Sequence, residues 1–170
     1  MNDFNQCLEF SHSASDLPIW REIYEKAFPY MVAMTDHRGD GEHQRAGIDR
    51  SIILGNSKQI LIDEKVRKKD YGDILLEYLS IEEKNTPGWV CKPIRADYIA
   101  YAILPTGMCY LLPVPQLQGA WEKFGAGWIN TFKPRRARNN GYMTVNVGVP
   151  VNLLFRAIGS ELRIEFTPTL

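Results

Sequence analysis

Residues 47–67 read GIDRSIILGNSKQILIDEKVR. Two runs rich in β-branched residues, GIDRSIIL and KQILIDEKVR, flank Gly55-Asn56-Ser57, and this composition predicts a pair of antiparallel strands joined by a tight turn. In a strand, residues two apart share a face, so Asp63 and Lys65 point together while Ile62 and Glu64 point the other way. Asp49 stands at the base of the partner strand, and pairing across the turn carries its carboxylate toward Asp63 although the two lie far apart in the chain. Two acids and a lysine thus occupy positions where a half-buried hairpin would hold apolar or neutral residues.

Two neighbouring carboxylates repel unless a positive charge lies between them, and a hard cation with oxygen ligands is the common solution. Asp49 and Asp63 therefore read as ligands for Mg²⁺, with Mn²⁺ expected to substitute. Lys65 is placed to orient or deprotonate a water, or to stabilise charge developing on a phosphate. The triplet alone carries little weight. With 20 acids and 9 lysines in 170 residues, acid-x-Lys arises by chance about once. The chain contains two, Asp63-Glu64-Lys65 and Glu82-Glu83-Lys84. Only the first follows an apolar strand and faces a hairpin partner bearing an acid.

Upstream, SDLPIWREIYEKAFPYMVAM repeats apolar residues at Ile19, Ile23 and Ala27 behind Ser15 or Asp16 as N-cap and Pro18 near the first turn, which predicts an amphipathic helix. TDHRGDGEHQRA, residues 35–46, is polar and glycine-punctuated and predicts a loop. Downstream, ILLEYLS reads as a third strand, although Asp73 and Glu77 at i,i+4 leave a helix open. ADYIAYAILP and GMCYLLPV predict two strands around Pro105-Thr106-Gly107, and PQLQGAWEKFGAGW a short helix with Gly125 as its stop. The last third predicts a strand over 142–147, a helix over 151–158 and a tail strand. Together these elements predict one domain of the α+β or α/β class, a central mixed sheet flanked by helices, with a core over about 15–125 and a C-terminal extension over about 126–170.

A helix, then a hairpin carrying Asp49, then a strand bearing Asp63-Glu64-Lys65 and further strands and a helix resembles the PD-(D/E)xK nuclease superfamily. This is the restriction endonuclease-like fold, shared with junction resolvases, and the likeness is greatest to small phage-type members. The resemblance maps the family's first Asp onto Asp49, its second acid onto Asp63 and its lysine onto Lys65. It implies an accessory acid from the preceding helix, Glu22 or Glu25, and an accessory role for Gln44. Glu77 is a secondary candidate should its segment be a neighbouring strand. Ile48 stands where the family usually has proline, and Glu64 is an acid beside Asp63 that strand alternation turns away. The activity implied is Mg²⁺-dependent hydrolysis of DNA phosphodiesters, by an endonuclease that forms a homodimer where two strands must be cut.

Lys plus Arg balance Asp plus Glu at 20 each, so net charge gives no argument for a nucleic-acid partner and distribution must. Two basic runs can contact phosphates: KVRKK, with Arg67, Lys68 and Lys69, and KPRRAR, with Lys133, Arg135, Arg136 and Arg138 on a flexible loop before Asn139-Asn140-Gly141. For any single basic run, a solvated surface is the blander and better account. Cys7, Cys91 and Cys109 have no C-x-x-C spacing and fit a reducing, cytoplasmic setting. No basic leader, no membrane-length apolar run, no phosphate loop, dinucleotide fingerprint or nucleophile elbow occurs. His12, His37 and His43 predict surface histidines, and Tyr98, Tyr101, Tyr110, Trp121 and Trp128 core aromatics. A catalytically inactive nuclease-fold module that binds nucleic acid or a protein is the rival expectation.

Overall fold

A computed structural model of the chain describes residues 18–159 and 162–168. Ser15, Asp16, His12 and Cys7 lie outside the described residues. Helix α1, Ile19–Ala27, buries Ile19, Trp20, Ile23 and Tyr24, a stripe at helical spacing. It is shorter than the sequence predicts. Phe28 leaves helical space at φ −129° and ψ 77°, because the ring of Pro29 disfavours a helical conformation in the residue before it. The chain then enters strand β1, Met31–Asp36. The expected loop beyond it holds a one-turn helix, α2, Gly41–Arg45, where the Asp40 side chain accepts from the Glu42 N–H at 2.8 Å.

The hairpin forms as predicted. β2, Arg50–Leu54, pairs antiparallel with β3, Gln59–Arg67, with Arg50 opposite Ile62 and Ile52 opposite Ile60. β4, Asp73–Ile81, contains ILLEYLS as a strand, and a short β5, Thr86–Pro87, follows. β6, Tyr98–Ile103, and β7, Met108–Pro113, flank the predicted turn. Helix α3 spans Val114–Phe132 and runs through Gly125 instead of stopping there. A Cβ on Gly125 would lie 2.9 Å from the ring of Trp121 one turn earlier, so this glycine makes room for a side chain and does not end the helix. β8, Arg135–Arg138, replaces the expected basic loop. β9, Met143–Pro150, helix α4, Val151–Ile158, and β10, Leu162–Glu165, complete the chain.

The class is α+β. A mixed six-stranded sheet runs β1-β2-β3-β6-β7-β10, and a second, four-stranded sheet runs β5-β4-β9-β8. Among the described strands, β3 and β6 pair in parallel; β4 pairs antiparallel with β9 from Asp73–Pro150 to Leu79–Val145, and this pairing selects strand over helix. One core lies under α1, where Ile19, Trp20, Ile23 and Tyr24 meet Ile52, Ile62, Ala100, Ala102 and Leu111. The other lies on the opposite side of the first sheet, where Ile99, Tyr101, Ile103 and Leu112 pack with Ile74, Leu76, Val147 and Val149 and with α3 and α4. Of the aromatics expected inside, Tyr101 and Trp128 are buried and Tyr98, Tyr110 and Trp121 half-buried. The alternation of β3 therefore points Ile62, Glu64 and Val66 at α1 and Asp63, Lys65 and Arg67 toward the second sheet. Among the described residues, no helix is long and apolar enough to cross a membrane.

Candidate functional site

The β2–β3 ladder continues one residue beyond the Arg50–Ile62 pair. Asp49 N–H donates to the Ile62 carbonyl at 2.9 Å, and the Glu64 N–H donates to Asp49 Oδ2 at 2.8 Å. Asp49 is thereby fixed beside Asp63, as hairpin register requires. Asp63 is 5% exposed, and its Oδ1 accepts from Lys65 Nζ at 2.5 Å. Burial pushes Asp63 up to about 7; Lys65 opposes the rise and the Asp49 carboxylate adds to it. The Lys65 side chain is 31% exposed. Burial works against its charge, but Asp63, Asp49 and Glu77 together hold its pKa above the ordinary value.

Glu77, on β4 of the second sheet, lies near enough for its charge to act on Lys65. Burial raises it, while Lys65, the Trp89 backbone N–H and Lys92 favour its ionised form. Trp89 also presents its ring 6.0 Å from Lys65 Nζ. The segment carrying Trp89 is pinned on β4, with Gly88 N–H on the Tyr78 carbonyl at 2.9 Å and Val90 N–H on the Glu77 carbonyl at 3.2 Å. Trp89 and Lys92 carry no signal in the sequence. They come from a segment with neither strand nor helix periodicity, and nothing local announces that it folds over β3.

Glu64 belongs to the other face. Its side chain, 4% exposed, accepts from Tyr24 Oη at 2.7 Å and from Arg50 Nε at 2.6 Å, and Arg38 Nη1 lies at 3.5 Å. It ties α1 to the sheet and is not shared with Asp63. Glu22 is not brought to the site. It faces outward, receives Lys26 Nζ at 2.8 Å and the Thr167 N–H at 3.2 Å, because the buried face of α1 is the one carrying Trp20 and Tyr24. Glu25 pairs with Arg21 at 3.5 Å. Gln44 is exposed on α2 and donates to the Arg38 carbonyl at 2.6 Å.

The cations divide. Arg67 shares the face of Lys65 but is spanned to Asp73 at 3.2 Å and Tyr101 Oη at 3.0 Å, with the Tyr71 ring at 5.0 Å. Arg135 meets the same Asp73 at 2.8 Å, and Arg136 pairs with Glu82 at 2.7 Å. The run around them is an edge strand paired with β9 and not a flexible loop, since alternating side chains give two of its arginines acidic partners. Lys68, Lys69, Lys133 and Arg138 are exposed. The histidines are less superficial than expected: His37 and His43 stack with centroids 4.1 Å apart, His37 Nε2 lies 2.8 Å from Ser51 Oγ, and His43 Nδ1 is 2.8 Å from Asp40.

Among the described residues, no three His, Cys, Asp or Glu side chains gather as a ready metal cage. The donor set nevertheless fits Mg²⁺, which usually takes one or two carboxylates and completes its shell with water and phosphate. Asp63, held near half-ionisation by burial and by Asp49, is a carboxyl whose charge a divalent cation would stabilise. No family model, curated protein or solved structure matches the chain.

Proposed function

We propose that the chain is a divalent-metal-dependent DNA endonuclease of the PD-(D/E)xK type, on a restriction endonuclease-like variant of its α+β fold. The observation that carries this reading is the convergence of Asp49, Asp63 and Lys65 on one face at the open end of the hairpin, with Lys65 Nζ on Asp63 Oδ1 at 2.5 Å. Asp49 and Asp63 would hold Mg²⁺, or Mn²⁺ in its place. The ion, when bound, supplies charge neutralisation at the phosphate and lowers the pKa of water.

Hydrolysis forms a bond from a water oxygen to phosphorus and breaks one from phosphorus to a sugar oxygen, with the water's proton lost and the leaving oxygen protonated. Lys65 keeps its proton, since three acids raise its pKa. Its part is thus to donate hydrogen bonds to the water and to the phosphate oxygens as charge builds there, rather than to remove a proton. Lys68, Lys69, Lys133 and Arg138, with Arg67, Arg135 and Arg136 behind their acidic partners, are the proposed contacts to the DNA backbone.

The Lys65 ammonium on Asp63 Oδ1, an ion pair that satisfies the acid without a metal, favours the second reading, a binding module on the same fold. Duplex, single-stranded and four-way DNA incubated with Mg²⁺, with and without chelator, separates the two. Cleavage that needs the metal and is absent from Asp63→Asn supports the enzyme. Metal-independent binding with all substrates intact supports the module.

A further inference from the structure

Lys65 sits where a metal's charge is needed. Its ammonium occupies Asp63 Oδ1 at 2.5 Å, so a divalent cation on Asp63 must compete with it for that oxygen and is repelled by it. The ammonium therefore needs another anionic partner when the cation is bound. Asp49 is committed to the same cation. Glu64 lies on the far face with Tyr24 and Arg50, and Asp73 is held by Arg67 and Arg135. Glu77 is what remains.

Its placement is built in. β4 has a bulge between Glu77 and Leu79 in its pairing with β9, and a bulge re-aims the side chain beside it. Gly88 packs so closely that a Cβ there would lie 2.8 Å from Glu77 Cγ. The next residue, Trp89, sets its ring 6.0 Å from Lys65 Nζ, and its backbone N–H favours the ionised form of Glu77. Lys92, on the segment between β5 and β6, also favours the ionised form of Glu77.

We propose that Glu77 is a positioning residue that takes over the Lys65 ammonium when a divalent cation occupies Asp49 and Asp63. This rests on the metal reading above and deepens it: Lys65 is the counter-ion that Asp63 has within the chain, and Glu77 is the acid that lets it withdraw while keeping it beside the phosphate. Glu77 acts on the cation through Lys65 and not as a ligand.

Calorimetric titration of the full chain with Mn²⁺ at pH 8 tests this without reference to activity, using wild type, Glu77→Gln, Lys65→Met and the double variant. Coupled neighbours in contact typically interact enough to change an equilibrium several-fold to about tenfold or more. Lys65→Met is expected to bind Mn²⁺ about tenfold more tightly than wild type, and Glu77→Gln several-fold more weakly. In the Lys65→Met background, Glu77→Gln is expected to change affinity by less than about twofold. Equal weakening by Glu77→Gln in both backgrounds would make Glu77 a ligand and overturn the proposal, as would an unchanged affinity in Glu77→Gln alone. Lys65→Gln replaces Lys65→Met should the latter fail to fold by circular dichroism. Absence of Mn²⁺ binding to wild type removes the metal reading itself, an outcome distinct from binding with additive variants, which removes only the role of Glu77.

Discussion

Asp63, the proposed metal ligand, also carries a cost to the fold. Its folded pKa, about 7, lies above the usual 3.8, so between those values the native chain binds a proton that the unfolded chain has released. Its contribution to stability is fully present below the lower value and is lost as pH rises through the upper. Asp63→Asn keeps the volume and removes the titration. Thermal melts of wild type and Asp63→Asn should therefore diverge in favour of the variant as pH goes from 4 to 8, by on the order of a few kcal/mol; parallel pH profiles would refute the buried acid. The same proton competes with a cation, so Mn²⁺ affinity of the wild type should rise with pH and level off above about 7. A pH-independent affinity measured by calorimetry would place the metal elsewhere. Cleavage should vanish in Asp63→Asn and in Lys65→Ala, with Lys65→Ala alone retaining Mn²⁺ binding.

At the scale of elements, the junction of β3 and β4 is held by charge. Arg67 from the first sheet and Arg135 from β8 share the buried Asp73 at the start of β4. Gly148 on β9 leaves space for them, since a Cβ there would lie 2.9 Å from Arg135 Cζ. Removing one partner of a buried ion pair strands the other charge, which typically costs about 3–5 kcal/mol. Asp73→Asn should accordingly lower the urea midpoint by the equivalent of about 3 kcal/mol without a change in m-value. A loss below about 0.5 kcal/mol would mean that solvent screens the pair. The pairing with Arg67 and Arg135 was hidden in the sequence, where ILLEYLS read as a strand and Asp73 and Glu77 at i,i+4 left a helix open. In the fold the two acids face Arg67 and Lys65, two residues apart on β3, because β4 crosses over that strand in a separate sheet.

For the whole molecule, the proposed binding to DNA would depend on how many of its cations are available. Arg135, Arg136 and Arg138 replaced together by Ala should weaken binding to all sequences and reduce the log-log salt slope by roughly 0.9 for every phosphate no longer neutralised, up to about three units. Because Asp73 and Glu82 already neutralise Arg135 and Arg136, the decrease should lie nearer about one unit than three. An unchanged slope would show that β8 does not meet the backbone.

The hairpin, its turn and the shared face of Asp49, Asp63 and Lys65 were legible in residues 47–67, because strand period and turn chemistry are short-range properties that survive without tertiary context. α1 was legible for the same reason, apart from its end at Pro29. Glu22 was misplaced because its helix turns on which face is apolar, and the outward face carries the acid. The division of Asp63 from Glu64 followed from alternation, but the Tyr24 and Arg50 side chains that occupy Glu64 did not. The second sheet, the strand at β8, the raised pKa of Asp63 and the approach of Glu77 and Trp89 to Lys65 were decided only in the folded chain. Each depends on which distant strands meet and how much water their meeting excludes, and burial and Coulomb interaction act through space, where spacing along the chain carries no record of them.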